Sequence, residues 1–391
     1  MSRNIKRTPL FSNIAQDLAA PDLIREFSIN STLTSDQKAS ASDSVISFGT
    51  YNGACRTICV NREVALKVSV QYTEDIFNNL RESTDFNVKH RVLKQRTLGF
   101  ETNVYKHLTD INPRPNFNEW YNITPYVTRL IFAGLNFDQM AEQLNQLGGR
   151  QRAKQDLIEA VRVLYVNWTG LTGIEPNALL ILVTEKEATV STLLGYLTEL
   201  VQIRYEHLDY ILKNIVLQGL MGIININNRG ITHNDMHMSN LLVEYNPNEA
   251  EVYYMHNDLK FKVDAKVSRR LLFFDWDNAH CAGCGQNLFI NDLCRDHGVC
   301  DILNMKYDIY VFLVTLKHAV PSDLVPEFTR FFRQIRLDRR NDPPSIFAGA
   351  EWRLSVPRQM TLEQFKERLD SIVPDVEILL QNDFFQQLRI V

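Results

Sequence analysis

One short polar stretch places a histidine, an aspartate and an asparagine at fixed offsets, as His233-x-Asp235-x-x-x-x-Asn240. A carboxylate in such a loop can orient an attacking hydroxyl and accept its proton. An amide oxygen further along the loop can reach a magnesium ion, which prefers hard oxygen ligands. A polar turn between a helix that ends at Gly230 and a strand over 241–243 is the simpler alternative. The spacing indicates phosphoryl-transfer chemistry, with Asp235 as the catalytic base.

A second carboxylate stands at the end of an apolar run. Residues 270–274 have the sequence Arg-Leu-Leu-Phe-Phe, which predicts a buried strand, and Asp275 follows directly. Asp275 can share a Mg²⁺ ion with Asn240, because each side chain offers oxygen from its own loop. Asp277 either assists this metal or only caps a turn. The sequence therefore predicts Asn240 and Asp275 as the magnesium ligands.

The N-terminal part offers a candidate phosphate-binding loop and a candidate phosphate-binding lysine. Residues 45–60 predict two strands around a turn with Gly49 and Gly53, and glycine lets a backbone approach phosphate oxygens closely. A plain hairpin explains the same residues. The run Val-Ala-Leu-Lys that ends at Lys67 matches the strand of a phosphate-contacting lysine. A lysine that only points outward from its strand is the alternative.

A helix predicted over 98–108 carries Glu101 beside its apolar face. The residues of that face are Phe100, Val104, Tyr105 and Leu108. A carboxylate at Glu101 can pair with Lys67 and hold the lysine towards a phosphate. Most single helix glutamates are solvated instead. Glu74, Glu82 and Asp85 are weaker candidates for the same pairing.

A hinge is predicted after an apolar strand at 178–183. The strand is followed at once by the polar residues Thr-Glu-Lys-Glu at 184–187. In such a linker, free backbone N–H and C=O groups around Glu185 can hold the edge of an adenine base. The helical pattern that begins at Ser191 then marks a change from a strand-rich to a helix-rich part of the chain.

Composition indicates an ordinary soluble globular protein. The chain has 391 residues, 45% hydrophobic and 23% charged, with a net charge of −4. That charge gives no footprint for nucleic acid or an anionic membrane, and no apolar run has the length of a membrane span. We therefore expect a cytoplasmic, intracellular protein with no nucleic-acid partner and no membrane span. Residues 1–44 predict a partly disordered extension, 135–177 a helical insertion and 246–269 an insertion with hairpin character.

Taken together, Lys67, Glu101, Asp235, Asn240 and Asp275 occur in the order of the protein kinase superfamily, and the chain resembles that family over about 45–320. The resemblance implies an α+β, two-lobed fold with a small β-rich N-lobe over 45–186 and a larger helical C-lobe over 187–391. It also implies ATP, Mg²⁺ or Mn²⁺, and transfer to a serine or threonine of a protein substrate.

A narrower resemblance is to serine/threonine kinases of large nucleocytoplasmic DNA viruses, the poxvirus type included. It is carried by the charged excursion at 246–269 before Asp275. A viral kinase would be found in the host cytoplasm or in the virion. The family resemblance further implies that Asp308 is the buried aspartate that hydrogen-bonds the catalytic loop.

Three departures from the family pattern keep other activities open. His237 replaces a lysine that contacts the γ-phosphate, Asn234 replaces the loop arginine, and no Ala-Pro-Glu motif follows Asp275. A small-molecule kinase of the same fold is therefore one alternative. A pseudokinase that serves as a binding module is the other.

Cysteines and histidines cluster after Asp275 at spacings that suit tetrahedral zinc. The candidate ligands of this knuckle, within residues 280–300, are Cys281, Cys284, Cys294, and either His297 or Cys300. Reduced, partly buried thiols are the alternative. Residues 276–306 contain no Ser, Thr or Tyr, so no phosphate can be added there. The sequence predicts that zinc orders this segment in place of phosphorylation.

Overall fold

The computed structural model describes residues 56–59, 64–109, 125–131, 169–170, 173–174, 178–185, 190–244, 251–264, 269–292, 301–337 and 361–390. These residues form α-helices and small β-sheets, which confirms the predicted α+β class. They group into two compact units, which divide between 185 and 190. The first unit also includes the chain up to Lys106, and His107 belongs with the second.

The first unit contains a four-stranded antiparallel sheet in the order β1-β2-β4-β3. Its strands are β1 (Arg56–Cys59), β2 (Val64–Gln71), β3 (Pro125–Ile131) and β4 (Ala178–Glu185). β2 and β4 are rich in valine, leucine and isoleucine, residues that favour strands. The predicted lysine strand is therefore present, in the interior of the sheet. The predicted 135–177 insertion lies mostly outside the described residues.

Two helices follow β2: α1 (Glu74–Arg81) and α2 (Phe86–Thr109). Thr73 caps α1 by accepting a hydrogen bond from the backbone of Ile76. The sequence predicted that the second helix begins at Leu98, and this start is wrong. Further buried side chains extend its apolar face towards the N-terminus, so the polar stretch before 98 is helical as well. The buried residues of α2 include Val92, Leu93, Leu98, Phe100, Val104, Tyr105 and Leu108.

The second unit is mainly helical and is built around α4 (Leu208–Asn227). Sixteen of the residues of this helix are buried, which is typical of a helix in the centre of a core. α4 contacts the helices Met305–Ala319 and Pro326–Gln334, and the C-terminal 3-10 helix Asp383–Leu388. The other helices of this unit are α3 (Leu193–Gln202), α5 (Leu288–Asp292), α6 (Met305–Ala319), α7 (Pro326–Gln334), α8 (Leu362–Ile372) and α9 (Val376–Gln381).

Among its described residues, the second unit also contains three small antiparallel sheets, with the orders β10-β7-β5, β11-β6 and β8-β9. The β8-β9 pair is the hairpin that the sequence predicted within 246–269. Among the described residues, no helix has both the length and the apolar character needed to cross a bilayer. The strands are β5 (Val190–Thr192), β6 (Ile231–Thr232), β7 (Leu241–Glu244), β8 (Glu251–His256), β9 (Leu259–Asp264), β10 (Arg270–Phe273) and β11 (His280–Cys281).

Gly219 and Gly222 let aromatic rings of neighbouring elements pack directly on α4. A Cβ atom at Gly219 would overlap the ring of Phe312 in α6, and one at Gly222 would overlap the ring of Phe273 in β10. These close approaches explain why glycine is tolerated inside a helix, where it costs about 1 kcal/mol relative to alanine.

We expect Gly219→Ala to lower the free energy of unfolding by about 1–3 kcal/mol, because the overlap with Phe312 outweighs the gain in helix propensity. Urea unfolding of both proteins measures the change. Gly170→Ala is the control, since a Cβ atom there meets nothing within 4 Å. Adding Phe312→Leu should recover part of the loss. An unchanged or raised stability of Gly219→Ala would contradict this packing.

Candidate functional site

The candidate catalytic loop runs between β6 and β7 and is fixed at its start by a backbone turn. Gly230 has φ +75°, a conformation that favours glycine, and its carbonyl accepts a hydrogen bond from the N–H of Ala282 at 3.0 Å. β6 then pairs with β11, with Thr232 opposite His280. The loop therefore leaves α4 at a defined point, beside the segment that follows Asp275.

Asp308 anchors the first two residues of the loop from within α6. Its Oδ2 accepts a hydrogen bond from the N–H of His233 at 2.7 Å, and its Oδ1 accepts one from Asn234 at 2.8 Å. These are the bonds that the sequence predicted for Asp308. Asn234 has φ +63°, so the carboxylate stabilises a left-handed backbone that is uncommon outside glycine.

Burial of Asp308 has an electrostatic consequence. The residue is 1% exposed, and burial raises the pKa of its carboxyl group to about 6. The nearby His233 ring and the two backbone N–H donors oppose this rise in pKa, because they favour the charged form. The charged form that holds the loop is therefore maintained at neutral pH against a desolvation cost.

His233 connects the loop to the end of β10. Its side chain is fully buried, and Nε2 donates a hydrogen bond to the carbonyl oxygen of Phe274 at 2.9 Å. The imidazole also contacts the ring of Trp276, with 4.6 Å between the ring centroids. His233 is thus a structural link between the loop and the residues that flank Asp275.

The carboxylate of Asp235 is held by two side-chain amides. Nδ2 of Asn240 lies 3.0 Å from the carbonyl oxygen of Asp235 and 3.3 Å from its Oδ2. Nδ2 of Asn278 donates to the same Oδ2 at 3.0 Å. Asp235 is only 8% exposed, so these bonds determine how the carboxylate is oriented. The sequence predicted Asp235 and Asn240 for this site but missed Asn278.

His237 stands next to the second oxygen of Asp235. Its Nδ1 accepts a hydrogen bond from the N–H of Ser239 at 3.2 Å, which caps the 3-10 helix Met238–Asn240. Because Nδ1 is an acceptor, the N–H of the neutral ring is on Nε2. Nε2 lies 3.7 Å from Oδ1 of Asp235. The imidazole and the carboxylate therefore face the same side of the loop.

The two predicted magnesium ligands flank a pair of neighbouring strands: Asn240 directly precedes β7, and Asp275 lies two residues after β10. β7 and β10 are antiparallel, with Leu241 opposite Phe273, and the N–H of Phe274 donates to the carbonyl oxygen of Asn240 at 3.3 Å. Asp275 comes next, with φ +67°. The Asn240 amide turns its nitrogen to Asp235, so its oxygen remains for a cation. One amide oxygen and one carboxylate are donors of the kind that Mg²⁺ prefers, so the chemistry of these two side chains is compatible with this metal.

The predicted residues of the first unit are placed in part. Lys67 lies in β2, opposite Thr57 in β1 and Leu182 in β4. Glu101 is 1% exposed on α2, so the solvated alternative for this glutamate is wrong. Glu185 is the last residue of β4, opposite Val64, so the strand runs two residues beyond the predicted end at 183.

The glycines at 49 and 53 lie outside the described residues, as do 186–189 of the predicted hinge. The pairing of Lys67 with Glu101 and the binding of adenine near Glu185 therefore stay predictions.

The cysteine segment is described only at its start. Cys281 and Cys284 are joined by a disulfide, with 5.3 Å between their Cα atoms. Zinc needs both sulfurs as thiolates, so this pair is not in the form that the prediction requires. Cys294, His297 and Cys300 lie outside the described residues. Within the part of the chain that the structure describes, no three His, Cys, Asp or Glu side chains are grouped to hold a metal.

Two asparagines of the site had no recognisable signal in the sequence. Asn278 follows Asp275 by three residues and contacts Asp235 from 43 positions away. Asn287 is 1% exposed, and its Nδ2 donates to the carbonyl oxygens of Asp277 at 2.9 Å and Ala279 at 3.0 Å. Asparagine is common in surface turns, so only the fold identifies these two as internal supports.

Comparison with known proteins gives no relative: no protein-family model matches the chain, and no curated protein matches it. The functional argument therefore depends on the site itself.

We expect Asp308 to make stability depend on pH. The folded protein binds a proton at Asp308 near pH 6, whereas the unfolded chain does so near 3.8. Its contribution is thus fully present below about pH 4 and is lost as pH rises through 6. Relative to Asp308→Asn, the wild-type protein should lose about 3 kcal/mol of unfolding free energy between those limits.

Urea unfolding of both proteins from pH 4 to 7 measures this difference. Asp258→Asn is a matched control, because Asp258 is exposed in the turn between β8 and β9, and it should follow the wild-type curve. Parallel curves for the wild type and Asp308→Asn would show that Asp308 is not the titrating group.

Proposed function

We propose that the protein is an ATP- and Mg²⁺-dependent phosphotransferase with a two-lobed kinase fold, and that it transfers phosphate to serine or threonine hydroxyls of a protein substrate. The observation that carries this proposal is the Asp235 carboxylate, which two amides orient near the start of a loop anchored by a buried aspartate. A general base works only when it is correctly positioned, and the hydrogen bonds of this loop would hold Asp235 in such a position.

Asp235 would receive the proton of the attacking hydroxyl. Asn240 and Asn278 donate to its Oδ2, and in this proposal Oδ1 is the oxygen that accepts the proton. His237 Nε2 lies on the Oδ1 side and can donate to an oxygen bound there. Such a division of the two carboxylate oxygens would suit catalysis, because one oxygen would fix the orientation of the base while the other takes the proton.

Asn240 and Asp275 would hold Mg²⁺. When bound there, Mg²⁺ would supply the positive charge that offsets the charge of the nucleotide phosphates. The chain contributes the two oxygen donors and their common backbone frame, where the N–H of Phe274 bonds to the carbonyl of Asn240. Lys67 would contact the phosphates, and Glu101 would orient that lysine. The burial of Glu101 on α2 supports a fixed role for this glutamate.

The identity of the acceptor is the least constrained part of this proposal. His237 stands where serine/threonine kinases of the resembled family usually carry a lysine, and histidine at this position resembles both haspin-type protein kinases and small-molecule kinases. A small hydroxylated metabolite is therefore the second candidate acceptor. Transfer of label to a protein extract and to a metabolite extract, measured side by side, distinguishes them.

We expect Asp235→Asn to reduce turnover of γ-labelled ATP by about 100-fold or more, because the general base is lost. ATP affinity and the unfolding midpoint should stay near the wild-type values, since the amide keeps the shape of the side chain. Asp258→Asn serves again as the exposed control and should turn over normally. Equal transfer by Asp235→Asn and the wild type would remove the central role of Asp235, and ATP binding without transfer by the wild type would indicate a pseudokinase.

We expect Asp275→Ala to abolish metal-dependent turnover, because Asn240 alone is one neutral ligand for a divalent cation. Turnover is measured with increasing Mg²⁺ and, separately, with EDTA. Asp264→Ala is a control on β9, away from the loop. Full activity of the wild type in EDTA, or of Asp275→Ala in Mg²⁺, would show that these residues do not hold a required metal.

A further inference from the structure

Asn278 contacts the catalytic loop in two places. It ends the 3-10 helix Trp276–Asn278 and is 2% exposed. Its Nδ2 donates to Oδ2 of Asp235 at 3.0 Å, and its carbonyl oxygen accepts a hydrogen bond from Nδ2 of Asn234 at 3.1 Å. The segment that begins with Asp275 is therefore bonded directly to the residue that carries the base.

We propose that Asn278 is a positioning residue for the transfer reaction, which fixes the Asp235 carboxylate from the segment that carries Asp275. This role rests on the proposed function. Because Asp275 and Asn278 belong to one short turn, any movement of the metal ligand also moves the donor to Asp235. The base is thus aligned only when the metal-binding segment is in place.

The chemistry of the contact favours positioning over simple packing. A carboxylate with one donor can still rotate about that bond, whereas Asn240 and Asn278 approach the same Oδ2 from two separate segments. Both donors are neutral amides, so neither of them forms an ion pair with the carboxylate. An error of about 1 Å in such a group can reduce a rate by about 100-fold.

Asn287 stabilises the turn that contains Asn278. Its Nδ2 donates to the carbonyl oxygens on either side of Asn278, those of Asp277 and Ala279. This segment between β10 and β11 has little ladder pairing of its own, so the side chain supplies its hydrogen bonds. Asn287 therefore stabilises the turn, and the turn holds Asn278 in position to bond to Asp235.

The test is a set of kinetic measurements on the full chain with ATP, Mg²⁺ and the acceptor extract. We expect Asn278→Ala to lower kcat by about 10- to 100-fold with the KM for ATP within about twofold of the wild type, because the base is misaligned while the nucleotide still binds. Asn278→Asp keeps the shape but places a second carboxylate against Asp235, so its kcat should be lower still. A purely structural role predicts the opposite order, with the isosteric variant milder.

A double-mutant cycle gives the second readout. In an Asp235→Asn background, adding Asn278→Ala should change kcat by less than about twofold, because Asn278 acts through Asp235. Asn214→Ala is the matched control for loss of a buried asparagine. Asn214 is fully buried on α4, where its Oδ1 accepts the N–H of Asp264, and its replacement should lower stability but leave kcat unchanged.

The outcomes separate the two proposals. If the wild type transfers no phosphate, the proposed function is wrong and the positioning role falls with it. If the wild type is active but both Asn278 variants keep kcat within about twofold, or if the effects of Asp235 and Asn278 multiply, the positioning role alone is wrong. A low kcat that is non-additive with Asp235→Asn supports it.

Discussion

The two hydrogen bonds from the backbone of His233 and Asn234 to the Asp308 carboxylate anchor the candidate catalytic loop, and the rest of the site depends on that anchor. Two backbone N–H groups at the start of a buried loop need acceptors, and a helix carboxylate provides both. The arrangement places a charge where solvent cannot reach it, which raises the pKa of Asp308 to about 6. The buried charge of Asp308 thus lowers the stability of the folded protein while it holds the loop in place, as is common at functional sites.

Beyond that anchor, several further contacts of the loop are made by neutral groups. His233 bonds the Phe274 carbonyl, Asn240 and Asn278 bond Asp235, and Asn287 bonds the turn around Asn278. Amides can satisfy a carboxylate without the strong Coulomb attraction of a lysine or arginine. A carboxylate held in this way keeps its orientation and, in the proposed reaction, would accept the proton of the hydroxyl.

The sequence predicted those parts of the site whose spacing is local. Asp235 and Asn240 lie in one loop, and Asp275 follows a recognisable apolar strand, so chain order alone brings attention to them. Asp308 was predicted through family resemblance. Asn278 and Asn287 were missed because their partners are set by the β7–β10 pairing and the following turn, which no spacing rule contains.

The fold shows the same limit. The longer strands and the β8–β9 hairpin follow from alternating or continuous apolar patterns, and they were predicted, whereas the two- and three-residue strands β5, β6 and β11 were not. The start of α2 at Phe86 was not, because a polar surface with few buried positions resembles a loop in sequence. The burial of Glu101 could not be predicted either, because the residues next to a helix glutamate in sequence do not show whether it is buried.

The most direct measurement of the central claim is a crystal structure of the full chain with Mg²⁺ and a non-hydrolysable ATP analogue. The account predicts a metal ion bonded to the amide oxygen of Asn240 and the carboxylate of Asp275, with the terminal phosphate facing Oδ1 of Asp235. Nucleotide bound elsewhere, or metal density at neither ligand with nucleotide present, would contradict it.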